Sequence, residues 1–516
     1  MVDKLHEYQG PVGIAHTWRD ALQERWYGWK ENRPRTLLQL LQSLGLAEVP
    51  GSPVEDGQTP AGVDMDQYSH IFRKKTRREL IRISAAVMGI EFSYAAETAF
   101  VSPTLLKIGV DHQHMTLVWA VSPCIGFFVT PILGSLSDRC TLPLGRRRPF
   151  LILLACGVFL GMMLVPNGES LGHWVEGASG PGVSNFWPIF FTVLGTVLLD
   201  FDADACQSPA RAYLLDICVP EDHAKGLSTF TVMAGLGGFV GYLLGAVDWD
   251  SLKFGELMGG HVRAVFTLVT FLFVGCISYT VSSFKEMPLK LQRYNQTRIM
   301  VTDVDQGGDG DKLTDYAPKS YGTLVDALEE NNEPVLIPAP PGSQGKLLYE
   351  QGVRFGSMGM SMYSLSCACY SSVIEKFIKR FGAKRVYTGG LLFYSAGMFM
   401  MAVTRHKFSV IFFSWAAGVM YSTMFTMPFL LIAHYHSTNK FSESLGDNER
   451  VDDQIRGLGT DVAVVSSSVF VAQFILSMCM GTIVNFFGTT SAVVYTASFL
   501  GFCASLIASQ IVYMDL

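Results

Sequence analysis

Two acidic residues one helical turn apart, Asp200 and Asp204, begin a stripe that Gln207, Ser208 and Arg211 continue. On a helix these side chains share a face, while Asp202 points the other way. Like charges this close repel, which favours one proton held by the pair. Arg211 lies a turn or so further along and can balance whichever carboxylate is ionised. The stripe is therefore a group able to take and release a proton, set beside amide and hydroxyl functions suited to a polyol. Pro209 has no N–H to give to residue 205, so a bend and a freed carbonyl are expected there. A competing reading stays open: the segment has left the membrane, and its charges form a solvated interface.

Glu91 and Glu97, with Tyr94 between them, interrupt an apolar run at 83–106. A charge at bilayer depth costs about 2.5–3.5 kcal/mol on insertion scales, so each carboxylate asks for a reason. Neither has a Lys or Arg close by on its own helix. They are either protonatable groups facing a cavity or neutral, hydrogen-bonded helix contacts. Further along, Tyr421, Thr423 and Thr426 precede Met427-Pro428, and Asp461 and Gln473 occupy the next run. Of these, Tyr421, Thr426 and Gln473 join the candidate solute- and proton-binding set, and Asp461 is expected at an interface. A third cluster, Gly134, Asp138, Arg139, Gly145, Arg146, Arg147 and Arg148, bridges two helix ends. One Asp and four Arg suit ion pairs that hold one conformation and break in another, a cytosolic gate latch; a topological anchor is the alternative.

Other chemistries find little footing. The ten Cys show no CxxC pair, and His434 and His436 stand without further ligands, so no metal and no cofactor are expected. The glycines at 235–245 follow no strand, and Gly237, Gly241 and Gly245 at four-residue steps suit close helix packing rather than a nucleotide loop. No nucleophile–base pair, P-loop or selectivity filter is evident, which argues against an enzyme, an ATP-driven pump and a channel. The net charge of −6 argues against a nucleic-acid partner.

The elements that must hold these residues are membrane helices. Charged residues make up 16% of the chain against roughly a quarter in soluble domains, and mean hydropathy is +0.28. Runs long enough to cross about 30 Å of hydrocarbon fall at 83–106, 115–137, 149–166, 187–208, 226–247 and 263–284. Five more fall at 355–374, 386–404, 408–434, 461–486 and 489–512. Residues 1–80 are expected to be a cytosolic tail, with a short helix inside Trp18–Leu44, because Arg73 to Arg78 flank the first run. Residues 287–354 have the polar, Asp/Gly/Pro-rich composition of a disordered cytosolic loop, on which the sequon Asn295-Gln296-Thr297 should stay unmodified. The spans thus divide into a six-helix bundle, 81–286, and a five-helix one, 355–516. Crossing by crossing from a cytosolic loop, the basic stretch 375–385 falls outside, against the positive-inside rule; either a span is missing or the second half inserts with reduced register.

The stretch Gly134-Ser135-Leu136-Ser137-Asp138-Arg139 to Gly145-Arg146-Arg147-Arg148-Pro149-Phe150 resembles the signature loop of the major facilitator superfamily, and 375–385 its degenerate copy. With Glu91-Phe92-Ser93-Tyr94-Ala95-Ala96-Glu97 and Ala212-Tyr213-Leu214-Leu215-Asp216, it resembles the solute carrier 45 family, related to plant sucrose transporters. The resemblance covers about 80–286 and 347–516. It implies an all-α membrane protein of two pseudo-symmetric bundles. It implies proton-coupled symport of a sugar such as sucrose or glucose by alternating access, in the plasma membrane or an acidic organelle. Its partners would be sugar, protons and the lipid bilayer, with dimerisation open. Family members carry a further span between the central loop and Tyr349, so about 11 spans stand here instead of 12. Without that seventh span, which lines the cavity in this fold, the alternative is a transport-deficient isoform acting as a regulatory or dimerising partner.

Overall fold

The computed structural model describes residues 65–110, 112–142, 144–177, 186–286, 344–404, 406–437, 457–487, 489 and 491–511. The helix expected within Trp18–Leu44, the sequon at Asn295 and most of the central loop lie outside them.

Eleven long helices follow one another among the described residues: α1 (Arg77–Lys107), α2 (His112–Arg139), α3 (Arg148–Gly177), α4 (Phe186–Ile217), α5 (His223–Ala246) and α6 (His261–Val281), then α7 (Gln344–Phe381), α8 (Ala383–Thr404), α9 (Lys407–Ser437), α10 (Leu458–Phe487) and α11 (Ser491–Ala508). Each apolar run read from the sequence has its helix. Eight hold an 18-residue window apolar enough to cross a membrane; α1, α4 and α7 do not. Those three are diluted by the acids of α1 and α4 and by the Ser, Gly and charged residues of α7. The 38 residues of α7 span about 57 Å, well beyond the hydrocarbon core.

Local chemistry sets the ends. Thr76 caps α1 in a reciprocal box with Glu79, whose carboxylate also takes Arg73. Gly145 turns the α2–α3 loop with a φ of 118°, a conformation open to glycine and strained for other residues. Helix α4 runs unbroken through Pro209.

The pairings repeat in both halves. α3 packs on α4 and α6 as α8 packs on α9 and α11, and α2 lies on α4 as α7 lies on α9. Across the seam, α5 packs on α7 and α2 on α10. Glycine makes the first of these close: an added Cβ at Gly235 would lie 2.6 Å from the Ala368 nitrogen of α7, and one at Gly241 2.7 Å from Ala95 of α1. The stripe Gly237, Gly241, Gly245 is thus the face that α5 turns to α1.

Helix α1 is the hub of the first half, contacting α3, α4, α5 and α6, and nothing described takes that place in the second. The consequence shows in α5 and α10, which occupy matching positions: 61% of the α5 window is buried but only 28% of the α10 window.

Helix α7 runs antiparallel to α5. Ser228 near the start of α5 meets Ser371 near the end of α7, and Arg354 pairs with Asp248 just past the end of α5. Because the start of α5 lies beside Lys75 and Asp222, the basic stretch 375–385 sits at the same end of the bundle as Lys75 and Asp222. Glu286 is held at that same end by the backbone of Arg146–Arg148, while Arg354 is at the opposite one. The mismatch seen in the sequence is therefore carried by the connection between them.

Candidate functional site

The acids of α1 and α4 converge where both halves meet. Tyr94 donates to the Asp204 carboxylate, and Gln207 donates to the Tyr94 oxygen at 3.2 Å. Arg211 donates to Gln207 Oε1 at 2.8 Å. From the second half, Gln473 of α10 reaches Asp204 at 3.5 Å and Tyr421 of α9 donates to Glu91 Oε1 at 2.6 Å. Thr426 of α9 meets Thr231 of α5 at 3.2 Å. Asp200 lies one helical turn before Asp204 and near Ser122. Glu97 is 2% exposed, and neither carboxylate oxygen has a hydrogen-bond partner among the described residues. The solvated-interface reading of the α4 stripe does not fit: Arg211 is 3% and Gln207 6% exposed. Asp202 faces away, its carboxylate filling the space that Gly157 of α3 leaves open.

Sequence reasoning missed the surroundings of Arg211. Its guanidinium lies 4.2 Å from the Phe429 ring centre, 4.5 Å from Phe425 and 5.4 Å from Phe230. It makes no ion pair among the described residues. Tyr363 of α7 packs edge-on against Tyr421 with centres 5.5 Å apart. The Phe residues sit in apolar runs, where they look like lipid- or core-facing hydrophobes.

The cytosolic cluster is a second site of opposite character. Asp138 at the end of α2 accepts from the Gly459 and Thr460 backbone N–H groups at 3.1 and 2.7 Å and from the Thr460 hydroxyl. These N–H groups belong to the first turn of α10, whose N-terminus favours an anion, and that of Thr460 is shared with the Gly457 carbonyl at 3.0 Å. Arg147, fully buried, donates to Asp138 at 2.6 Å, Asp216 at 2.8 Å and Ser137 at 2.9 Å. Arg146 reaches Asp216 at 2.9 Å, and Glu286 accepts from three successive backbone N–H groups of Arg146, Arg147 and Arg148. Burial pushes the Glu286 carboxyl above its ordinary range, and those backbone bonds oppose the shift. Glycines make the room: a Cβ at Gly457 would lie 1.9 Å from Asp138 Cγ, one at Gly459 2.0 Å from an Arg147 nitrogen, and one at Gly134 2.4 Å from Ala463. Arg139, grouped with the latch on sequence, is exposed and joins none of these bonds. Glu286 and Gly457–Thr460 escaped the sequence reading because nothing local marks them as partners of a loop far away in the chain. Asp461, expected at an interface, is 3% exposed with His436 at 3.5 Å.

No protein-family model matches the chain. The mouse membrane-associated transporter protein is 29% identical over 86% of this chain and 95% of its own length. Human proton-associated sugar transporter A is 23% identical over 90% of each chain. Human solute carrier family 45 member 4 is 39% identical over 45% of this chain and 31% of its own. Among solved structures, the xylose transporter XylE from E. coli in a partially occluded inward-open conformation has a TM-score of 0.54 at 11% identity, covering 86% of this chain and 98% of that one; the likeness shows the fold. The chain is a multi-pass membrane protein with the major facilitator fold, and it is similar to proteins of the solute carrier 45 family.

Proposed function

We propose that this protein is a proton-coupled secondary transporter of a sugar such as sucrose or glucose, working by alternating access. One observation carries the reading: acids buried in α1 and α4 are reached by hydrogen-bond donors from both halves, Tyr94 and Gln473 on Asp204 and Tyr421 on Glu91. A proton gained or lost there changes bonds that cross the seam, and those are the bonds that rocking the two bundles must break. Gln207, Thr426 and Tyr421 offer hydroxyl-compatible partners beside the acids. At the cytosolic end, Asp138 on the α10 N-terminus and Arg147 behind it tie the halves together in the state seen here. The names of the relatives, among them proton-associated sugar transporter A, agree with sugar and proton as cargo. The test is uptake of labelled sucrose and glucose into proteoliposomes at acid and neutral outside pH. Acid should stimulate uptake, and Asp204→Asn or Asp200→Asn should remove the stimulation; uptake that ignores pH and both substitutions rejects the coupling.

A second reading is favoured by a specific observation. Glu286 and Arg354 stand at opposite ends of the bundle, yet 287–343 contains no apolar run long enough to connect them through lipid. The place that α1 holds in the first half is empty among the described residues of the second. The alignment with the mouse relative extends over 514 positions while taking in 86% of this chain, so that relative has residues at dozens of positions where this chain has none. A chain lacking the seventh span would be transport-deficient and act as a regulatory or dimerising partner. The comparison that separates the readings is uptake by this chain against a version with an apolar helix placed between 286 and 344: equal uptake favours the transporter, and uptake by the extended version alone favours the partner.

A further inference from the structure

We propose that the central chamber binds a cationic group, the ammonium of an aminated solute, with Glu97 and the Asp200–Asp204 pair as its anionic wall. The inference rests on the chamber being the solute site and narrows the solute class.

The argument is one of unmatched charge. Gathered at this buried seam between the two halves are Glu91, Tyr94 and Glu97 of α1, Asp200, Asp204 and Arg211 of α4, Tyr242 of α5, Tyr363 of α7 and Tyr421 of α9. These comprise four carboxylates and a single guanidinium. That guanidinium packs against Phe230, Phe425 and Phe429, donates to the Gln207 carbonyl and acts at longer range on Glu91 and Asp204, which leaves Glu97 and Asp200 without a cation. Every donor that reaches an acid is neutral: Tyr94 and Gln473 for Asp204 and Tyr421 for Glu91. Glu97 has no donor among the described residues, although it is almost wholly buried, and its electrostatic neighbours are Asp200 and Asp204. A buried carboxylate with no partner is costly and asks for a donor or a charge. A neutral sugar brings hydroxyls alone. An ammonium brings one charge and three N–H donors, in bonds roughly twice as strong as neutral ones. An inorganic cation shares the charge and lacks the donors.

The test is thermal stability of the purified full chain in detergent, with glucosamine, N-acetylglucosamine, glucose, or sodium chloride at matched ionic strength. A ligand bound by the folded state raises the melting temperature by mass action. Glucosamine should raise it by a few degrees, N-acetylglucosamine and glucose by clearly less, and Glu97→Gln should abolish the difference. Should Glu97→Gln fail to fold, Asp200→Asn serves the same comparison, and the glucosamine/N-acetylglucosamine contrast needs no variant. Equal shifts with the amine and its acetylated form, or a shift that survives the substitutions, overturn the proposal. A sodium shift as large as that of glucosamine overturns the ammonium and leaves a bare-cation site. If labelled glucose is not transported but the Glu97-dependent glucosamine shift persists, the sugar reading fails and this one stands.

Discussion

The two charged clusters of this protein are built on opposite plans. In the Asp138–Arg148 cluster each buried carboxylate has a matched donor: Arg147 serves Asp138 and Asp216, the α10 N-terminus serves Asp138, and three backbone N–H groups serve Glu286. In the chamber, Glu97 stands without a partner and Arg211 is paired with rings rather than acids. Charges with their full complement of partners hold a shape, and removing one partner strands the rest. Charges left short are costly as they stand and gain from a proton or a ligand. The same residue types thus have different work in the two places, and their partners decide which.

Substitutions that strip each cluster should separate the two plans. Arg147→Ala removes the hub of the cluster, leaving Asp138 buried without its cation and Asp216 with Arg146 alone, a loss of about 3–5 kcal/mol. Melting of the purified protein should show it as the largest drop of the series. Gly457→Ala is next: its Cβ meets the Asp138 carboxyl, an overpacking worth about 1–3 kcal/mol, read in the same melting experiment. Asp138→Asn keeps the shape and removes the charge on the α10 N-terminus, about 1 kcal/mol. It should raise the accessibility of cysteines placed near Gly134 to a cytosolic reagent several-fold; unchanged accessibility and transport would remove the latch role. Asp204→Asn should be the mildest in melting, within about 0.5 kcal/mol of the native protein or above it, because it relieves repulsion with Asp200. A chamber substitution that destabilises as much as Arg147→Ala would erase the distinction.

Much of this was legible in the sequence, for a physical reason. An ionisable residue in an apolar run stands out, so Glu91, Glu97, Asp200, Asp204 and Arg211 were marked, and the structure brings them together with Tyr94, Gln207, Tyr421, Thr426 and Gln473. The latch loop was marked in the same way by its Arg cluster. What stayed hidden depends on contacts between distant parts of the chain. Asp138 finds Thr460 322 residues away, and Tyr421 finds Glu91 330 residues away. The Phe cage of Arg211 is written in the residues that also face lipid. The end of the bundle at which 375–385 lies follows from how α7 packs on α5, which counting crossings does not reveal.

The most direct test of the chamber as the seat of proton exchange is to watch protons and sugar together. In lightly buffered proteoliposomes enclosing a pH-sensitive dye, outside sucrose or glucose should acidify the interior along with labelled sugar entry, and Asp204→Asn should uncouple the two. Sugar that enters with no proton in the native protein, or a proton signal unchanged in Asp204→Asn, would contradict the account.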